Sequence, residues 1–190
     1  MLVMARANRT RFAVLGALSI GPRSGYDVKR DLESTVGYFW KESFGQIYPI
    51  LRGLVDAGFA TVQEDANGGR TRRVYSITPA GREEFAAWLE LPPEPSQARS
   101  ELLLKLFFCR QVDPSVAIGH LRAAAAQARG VLQALAAVNE EVESEREGNP
   151  DYDYFQITVR AGQLNNEALL QWCNESIERL ERRAGQEPAD

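Results

Sequence analysis

The sequence has little of the chemistry on which metalloproteins and redox proteins depend. Its 190 residues include two cysteines and one histidine. His120 has no other histidine and no cysteine near it at ligand spacing, so we expect no metal site. Cys109 and Cys173 lie far apart, each in an apolar helical pattern. This favours two buried thiols over a disulfide or a redox pair.

Catalytic motifs are also missing. The chain contains no glycine-rich phosphate loop and no nucleophile elbow. An acidic run lies on a predicted long helix, where such a run is usually a solvated face; it consists of Glu140, Glu141, Glu143, Glu145 and Glu147. We therefore expect neither an enzyme nor a cofactor.

Long apolar runs are absent as well. None approaches the roughly 20 residues that span a membrane. Residues 1–12, MLVMARANRTRF, have a short apolar patch and arginines, but neither the apolar core nor the cleavage site of a secretory signal. We expect a loose N-terminal arm on a cytoplasmic protein.

Charge is divided unevenly along the chain. The net charge of −4 argues at first against a nucleic-acid partner. However, residues 1–82 carry 12 Lys and Arg against 7 Asp and Glu, a net of +5, whereas residues 83–190 carry 10 against 19, a net of −9. This division fits a DNA-reading module joined to a module with another task.

The N-terminal half has the element order of a winged helix-turn-helix. Residues 11–20 predict a buried first helix, and Ser24 is suited to cap a second helix from Gly25. Two strand-like segments, Ala60 to Gln63 and Arg72 to Ile77, flank the turn Asn67-Gly68-Gly69. A fourth helix follows, with Thr78 as cap, Pro79 at its first position, and three side chains directed inward: Phe85, Trp88 and Leu89.

A third helix lies between the second helix and the hairpin. It should start near Ser43 and end at Gly58 in the left-handed conformation. Its buried face consists of Ile47, Ile50, Leu51 and Leu54, which recur at helical spacing. Pro49 lies inside this segment, which implies either a mild kink or a start later than Ser43.

The proline-rich segment LPPEPS predicts the boundary between a winged helix DNA-binding domain, 1–91, and a helical domain, 92–190. The second domain should contain helices over 98–111, from Asp113-Pro114 to about Glu147, and over 153–183. The middle helix carries a heptad seam of Ala117, Leu121, Ala124, Ala128, Val131, Leu135, Val138 and Val142. The partner of this seam could be the last helix or another subunit.

The candidate DNA contacts lie on the third helix and the hairpin. Gln pairs with adenine, Arg pairs with guanine or a phosphate, and a helix N-terminus holds a phosphate. Arginines beside a turn suit backbone phosphates or the minor groove. The candidates are Lys41, Ser43, Gln46, Tyr48, Pro49, Arg52, Arg70, Arg72 and Arg73.

Two segments, FWKESFGQIYPILRGLVDAGFA and RRVYSITPAG, resemble the PadR family of transcriptional regulators over residues 11–90. The matching positions are Gly25-Tyr26, Phe39-Trp40, Ser43, Gly45, Ile47-Tyr48-Pro49, Leu51, Gly58, Tyr75, Ile77, Thr78 and Gly81. In length and helical pattern, the second half is similar to the longer branch of the family that includes the phenolic-acid repressor and the virulence activators.

The resemblance implies a fold that is mainly α with a small β wing, and a C-terminal helical, coiled-coil-like part that dimerises. It also implies a role near DNA for Tyr48 and Pro49, although Tyr48 could equally pack under the wing. Gln46 stands where many relatives have Ser or Thr, which leaves the operator sequence open.

We therefore expect a homodimeric repressor of a near-palindromic double-stranded operator, released by a small aromatic effector. No residue is assigned to the effector, because most aromatic candidates suit a core; they are Trp40, Trp88, Phe107, Phe108, Tyr152, Tyr154, Phe155 and Trp172. The alternatives are an activator of the same fold, a winged helix used for protein contact, and an enzyme or ligand carrier built on the helical half.

Overall fold

The computed structural model describes residues 2–37, 39–40, 46–65, 72–94, 99–144 and 146–184. The chain divides into two compact units, residues 1–95 and 96–190. Helices dominate both units, and the strands form one small antiparallel sheet in the first. In the part of the chain that the structure describes, no helix combines the length and apolar character needed to cross a membrane.

The first unit contains α1 (Leu2–Ile20), β1 (Arg23–Ser24), α2 (Gly25–Thr35), α3 (Ile47–Asp56), β2 (Ala60–Asp65), β3 (Arg72–Ile77) and α4 (Pro79–Leu89). The strands lie in the order β1-β3-β2, and β2 and β3 form the predicted hairpin, called the wing below. The expected loose arm is wrong, because α1 begins at Leu2. Residues 2–10 contain no Gly or Pro, so nothing stops the first helix from extending upstream.

The core of the first unit is formed by α1, which packs against α2, α3, α4 and β3. Val14, Leu15 and Leu18 of α1 are fully buried there. Phe12 stacks on Trp88 of α4, with ring centroids 4.6 Å apart. Phe85 packs against the same core, as predicted.

The prediction for Leu89 is wrong, because its side chain is 61% exposed. Each residue of an α-helix is turned by roughly 100° from the one before. The stacking of Trp88 on Phe12 fixes the inward face of α4, and this turn carries Leu89 away from it.

The third helix begins later than Ser43, which was one of the two outcomes expected from Pro49. Gln46 precedes its first turn and Pro49 is its third residue. The first four N–H groups of a helix have no partner within the helix, so proline loses no hydrogen bond there. At the other end, Gly58 has φ 77°, and the N–H groups of Gly58 and Phe59 donate to the carbonyls of Val55 and Leu54. The predicted left-handed exit is confirmed.

The turn into α4 follows the predicted capping pattern. The hydroxyl of Thr78 accepts a hydrogen bond from the N–H of Gly81, and Pro79 is the first helical residue. A Cβ at Gly81 would lie 2.1 Å from the carbonyl oxygen of Phe59. That oxygen accepts a hydrogen bond from the N–H of Thr78, so it is held in place. Only glycine fits this close approach.

The second unit contains α5 (Glu101–Phe108), a short 3-10 turn (Cys109–Gln111), α6 (Pro114–Ser144) and α7 (Tyr152–Ala184). Every residue of the predicted heptad seam on α6 is buried or half-buried. The partner of α6 is α7 of the same chain. Gly148 turns the chain between the two helices with φ 78°.

The two cysteines differ in burial, and both are free. Cys173 is fully buried beside Leu121 and Ala125, and burial raises the pKa of its thiol. Cys109 is only half-buried, so the prediction of a buried thiol is wrong for it. Cys109 begins the 3-10 turn after α5, where the chain leaves the apolar helical pattern on which the prediction rested.

Aromatic side chains of the second unit also depart from the expected core positions. Trp172 packs against the Leu121 cluster. Phe107 and Tyr154, by contrast, are 81% and 71% exposed, and Phe108 and Phe155 are exposed as well. The apolar content of residues 98–111 therefore predicted the helix α5 correctly. It did not predict burial, since no residue of α5 is fully buried.

We predict that Gly81→Ala lowers the free energy of unfolding by roughly 1–3 kcal/mol, because the added methyl would overlap a fixed carbonyl oxygen. Urea unfolding followed by tryptophan fluorescence measures this loss. The matched control is Gly53→Ala on α3, where a Cβ meets nothing within 4 Å. It should leave stability unchanged or raise it by up to about 1 kcal/mol. Equal stability of the two variants would contradict the close approach at Gly81.

Candidate nucleic-acid interface

Helix α3 has one face in the core and one face in solvent. Ile47, Leu51 and Leu54 are buried. Isolated helices as short as these 10 residues are marginal in water, so burial of this face stabilises α3 and fixes its rotation. The exposed side carries four of the predicted DNA contacts, which are Gln46, Tyr48, Pro49 and Arg52. Two further candidates, Lys41 and Ser43, lie outside the described residues.

Tyr48 contacts the start of α2. Its side chain is 55% exposed, and its ring lies over Gly25, the first residue of α2. The ring is therefore fixed on one side by the backbone of α2 and open to solvent on the other.

The wing arginines make different contacts. The guanidinium of Arg72 forms an ion pair with Asp27 of α2, and its Nη2 donates to the hydroxyl of Ser24 at 3.2 Å. Arg73 faces Glu64 across the hairpin, with 3.4 Å between Nε and Oε1. Both side chains of the second pair are more than 60% exposed, so that pair adds little stability. Arg70 lies outside the described residues.

A shallow cleft between α3 and the wing is lined by both Arg52 and Arg73. The α3 side is formed by Arg52, Val55 and Asp56, and the wing side by Val62, Arg73 and Tyr75. Two positive side chains from separate elements therefore border one concave surface, which suits a phosphate backbone. Asp56 is the acidic group among them.

The residues at the start of α2 were not predicted as site residues, although two of them contact the wing: Ser24 by strand pairing with β3, and Asp27 by its ion pair with Arg72. Ser24 and Asp27 form a capping box: the hydroxyl of Ser24 accepts from the backbone N–H of Asp27 at 3.2 Å, and the backbone N–H of Ser24 donates to Oδ2 of Asp27 at 3.2 Å. The Ser24 hydroxyl also donates to that Oδ2 at 2.7 Å. The sequence predicted Ser24 as the cap, and the Ser-x-x-Asp spacing is the signal that would have added Asp27. No local signal places Arg72, 45 residues further on, or the Tyr48 ring beside this turn.

The pKa of Asp27 is lowered from its ordinary value of 3.8. The largest cause is the hydrogen bond from the Ser24 hydroxyl, and burial, which is next in size, opposes it. The backbone N–H of Ser24 and the hydrogen bond and charge of Arg72 lower the pKa further. Asp27 is thus a carboxylate at neutral pH, and it joins α2 to the wing. Within the described ranges, no three His, Cys, Asp or Glu side chains form a group that could hold a metal ion.

Comparison with known families identifies both units. Residues 14–87 match the transcriptional regulator PadR-like family. Residues 98–181 match the virulence activator alpha C-term family. The two matches meet near the predicted proline-rich boundary.

Two curated relatives are similar to parts of the chain. The negative transcriptional regulator PadR of Bacillus subtilis is 35% identical over 100 residues, which are 52% of this chain and 55% of that protein. A probable transcriptional regulator of Mycobacterium tuberculosis is 33% identical over 86 residues, 45% of this chain and 46% of that protein. The matched sequence thus spans about half the length of these relatives.

The solved structures extend the likeness to nearly the whole chain. The crystal structure of Bacillus subtilis PadR in complex with operator DNA has a TM-score of 0.77 at 25% identity, and covers 90% of this chain and 98% of that one. The complex of the same protein with p-coumaric acid has a TM-score of 0.70 at 24% identity, and covers 90% and 94%. The predicted winged helix with a C-terminal helical part is confirmed.

We predict that Asp27→Asn lowers the free energy of unfolding at pH 7 by about 1 kcal/mol, because it removes the negative charge that the Ser24 hydrogen bonds and the Arg72 ion pair stabilise. Because the folded-state pKa is below the unfolded one, this stabilisation is present above about pH 4 and is lost as pH falls through the lowered pKa. Urea unfolding of both proteins from pH 7 to about pH 3 measures it.

Ser24→Ala provides the control for Asp27→Asn, because the two residues form one capping box. The double variant should be less destabilised than the sum of the single variants. A stability difference between wild type and Asp27→Asn that stays constant down to pH 3 would contradict the charged role of Asp27.

Proposed function

We propose that the protein is a homodimeric regulator that binds operator DNA, because residues 14–87 match the transcriptional regulator PadR-like family. The observation that carries this proposal is the exposed side of α3, where Gln46 and Arg52 are open to solvent and Arg52 shares a cleft with Arg73 of the wing. Helix α3 would enter the major groove and the wing would contact the flanking backbone. Bacillus subtilis PadR, whose structure with operator DNA shares this fold, supports the proposal.

The proposed contacts have separate roles. Gln46 would read a base edge, and Arg52 a guanine or a phosphate. Arg73 would contact phosphate, since its pairing with exposed Glu64 is easily exchanged. Arg72 would contribute less free charge, because Asp27 and Ser24 already engage it. Lys41, Ser43, Pro49 and Arg70 remain proposed contacts by their positions in the chain.

We assign DNA binding to residues 1–91, and dimerisation with effector response to residues 92–190. The support for a second copy is the apolar surface of the second unit. Phe107 on α5 and Ile157 on α7 are 81% and 66% exposed, and large exposed apolar surfaces mark contact sites. Further exposed apolar side chains there are Leu103, Leu104, Phe108, Tyr154 and Leu164.

There are two candidate modes of regulation. The first is repression released by a small aromatic effector that changes the separation of the two winged helices. The second is activation, favoured by the match of residues 98–181 to a family named for virulence activators. Footprinting of the promoter nearest the gene, with and without p-coumaric acid as the probe, tests both. A regulator of this kind works on DNA, so we propose a cytoplasmic location and no catalytic step.

We predict that Gln46→Ala changes base preference, whereas Arg73→Ala weakens binding to all duplexes. Loss of one base contact should cost about 1–3 kcal/mol on the operator only, and loss of one phosphate contact should reduce the salt slope by about 1. Fluorescence anisotropy with operator and random duplexes at several salt concentrations measures both effects.

The control for these two variants is Arg122→Ala on α6, which removes the same charge as Arg73→Ala from the second unit. It should leave DNA affinity unchanged. Equal loss on operator and random DNA for Gln46→Ala would refute the assignment of Gln46 to base reading.

We predict a dimer at micromolar concentration. Phe107→Glu should shift the equilibrium towards monomer, because it places a charge in the proposed apolar contact. Sedimentation equilibrium measures this, with Lys105→Glu as a charge change elsewhere on α5. A monomeric wild-type protein at this concentration would refute the dimer.

A further inference from the structure

The start of α2 contacts both of the elements that the proposed function directs at DNA. Gly25 lies under the ring of Tyr48 on α3. Ser24, in β1, pairs with Val74 of β3, and Asp27 forms the ion pair with Arg72. One helical turn therefore lies between the recognition helix and the wing and is bonded to the wing in two ways.

The contact at Gly25 requires the absence of a side chain. A Cβ at this position would lie 2.5 Å from Cε1 of Tyr48, and 3.1 and 3.2 Å from its Cδ1 and Cζ. Among the described residues, the glycines with positive φ are Gly58 and Gly148. Gly25 does not have a positive φ, so its backbone conformation does not require glycine. The missing Cβ thus serves the tyrosine ring and not the turn.

The contact with Gly25, called the seat of the Tyr48 ring below, matters because the core does not hold this side chain. Its side chain is 55% exposed. Its neighbour Ile47 is buried and fixes the backbone of α3, but not the direction of the Tyr48 ring. The capping box and the ion pair of Arg72 hold the turn beneath the ring. Together these contacts restrict an exposed aromatic side chain that would otherwise sample several rotamers.

We infer that Gly25 is a positioning residue of the DNA interface, which seats the Tyr48 ring so that its hydroxyl is presented to the operator in one orientation. This inference rests on the proposed function. A fixed side chain loses less conformational entropy on binding than a mobile one, so the seat raises affinity without itself touching DNA. Replacing Gly25 with alanine would push the ring from the seat into solvent.

The test compares wild type, Gly25→Ala, Tyr48→Ala and the double variant in operator binding by fluorescence anisotropy. We expect Gly25→Ala and Tyr48→Ala each to lose about tenfold in affinity, in the range of one lost interface contact. The double variant should bind no worse than Tyr48→Ala alone, because both changes remove the same contact. The matched control is Gly21→Ala on the same connection, where a Cβ meets nothing within 4 Å, and it should bind like wild type.

Three results would overturn the inference. They are wild-type affinity for Gly25→Ala, fully additive losses in the double variant, and wild-type affinity for Tyr48→Phe. The Tyr48→Phe variant keeps the ring and removes the hydroxyl, so it tests the presented group even where Gly25→Ala folds poorly. Failure of the wild-type protein to bind any duplex would instead overturn the proposed function, and this assignment with it.

Discussion

Burial of one face of α3 is the constraint on which the rest of the first unit depends. Ile47, Leu51 and Leu54 must enter the core formed with α1 and α2, and this fixes the rotation of the helix about its axis. Gln46 and Arg52 are then exposed as a geometric consequence. The hydrophobic effect acting on the buried face therefore holds the proposed DNA-reading surface in place.

The wing depends on the same arrangement through its contacts with α2. Strand β1 pairs with β3, and the carboxylate of Asp27 holds Arg72 while also completing the cap of α2. One charged group thus stabilises a helix end and fixes a strand. Arg72 and Arg73 consequently differ in their contacts although they are neighbours in sequence: Arg72 pairs with Asp27 of α2, and Arg73 pairs with Glu64 across the hairpin.

In the second unit, the heptad seam of α6 packs against α7 of the same chain. Pairing α6 with α7 buries Ala117, Leu121, Ala128 and Leu135, and Gly162 brings the two helices close, since a Cβ there would lie 3.0 Å from a methyl of Leu135. With that seam filled, several large apolar side chains on α5 and α7 remain exposed. This surface is the basis for proposing a second copy.

Local rules were sufficient for much of this protein. Capping residues, turn glycines and hydrophobic spacing determined the hairpin, the caps at Ser24 and Thr78, the exit at Gly58, the buried face of α3 and the seam on α6, because each depends on residues a few positions apart. The order of these elements, with the match of two segments to one family, determined the winged helix.

The same rules misjudged Leu89, Cys109 and Phe107, whose burial depends on which neighbours reach them. Only the tertiary structure decided that α7 is the partner of α6, that Arg72 pairs with Asp27, and that Tyr48 rests on Gly25. These contacts join residues that are distant in sequence. The packing of α1 to α4 brings together the two in the first unit, and the pairing of the two long helices forms the one in the second.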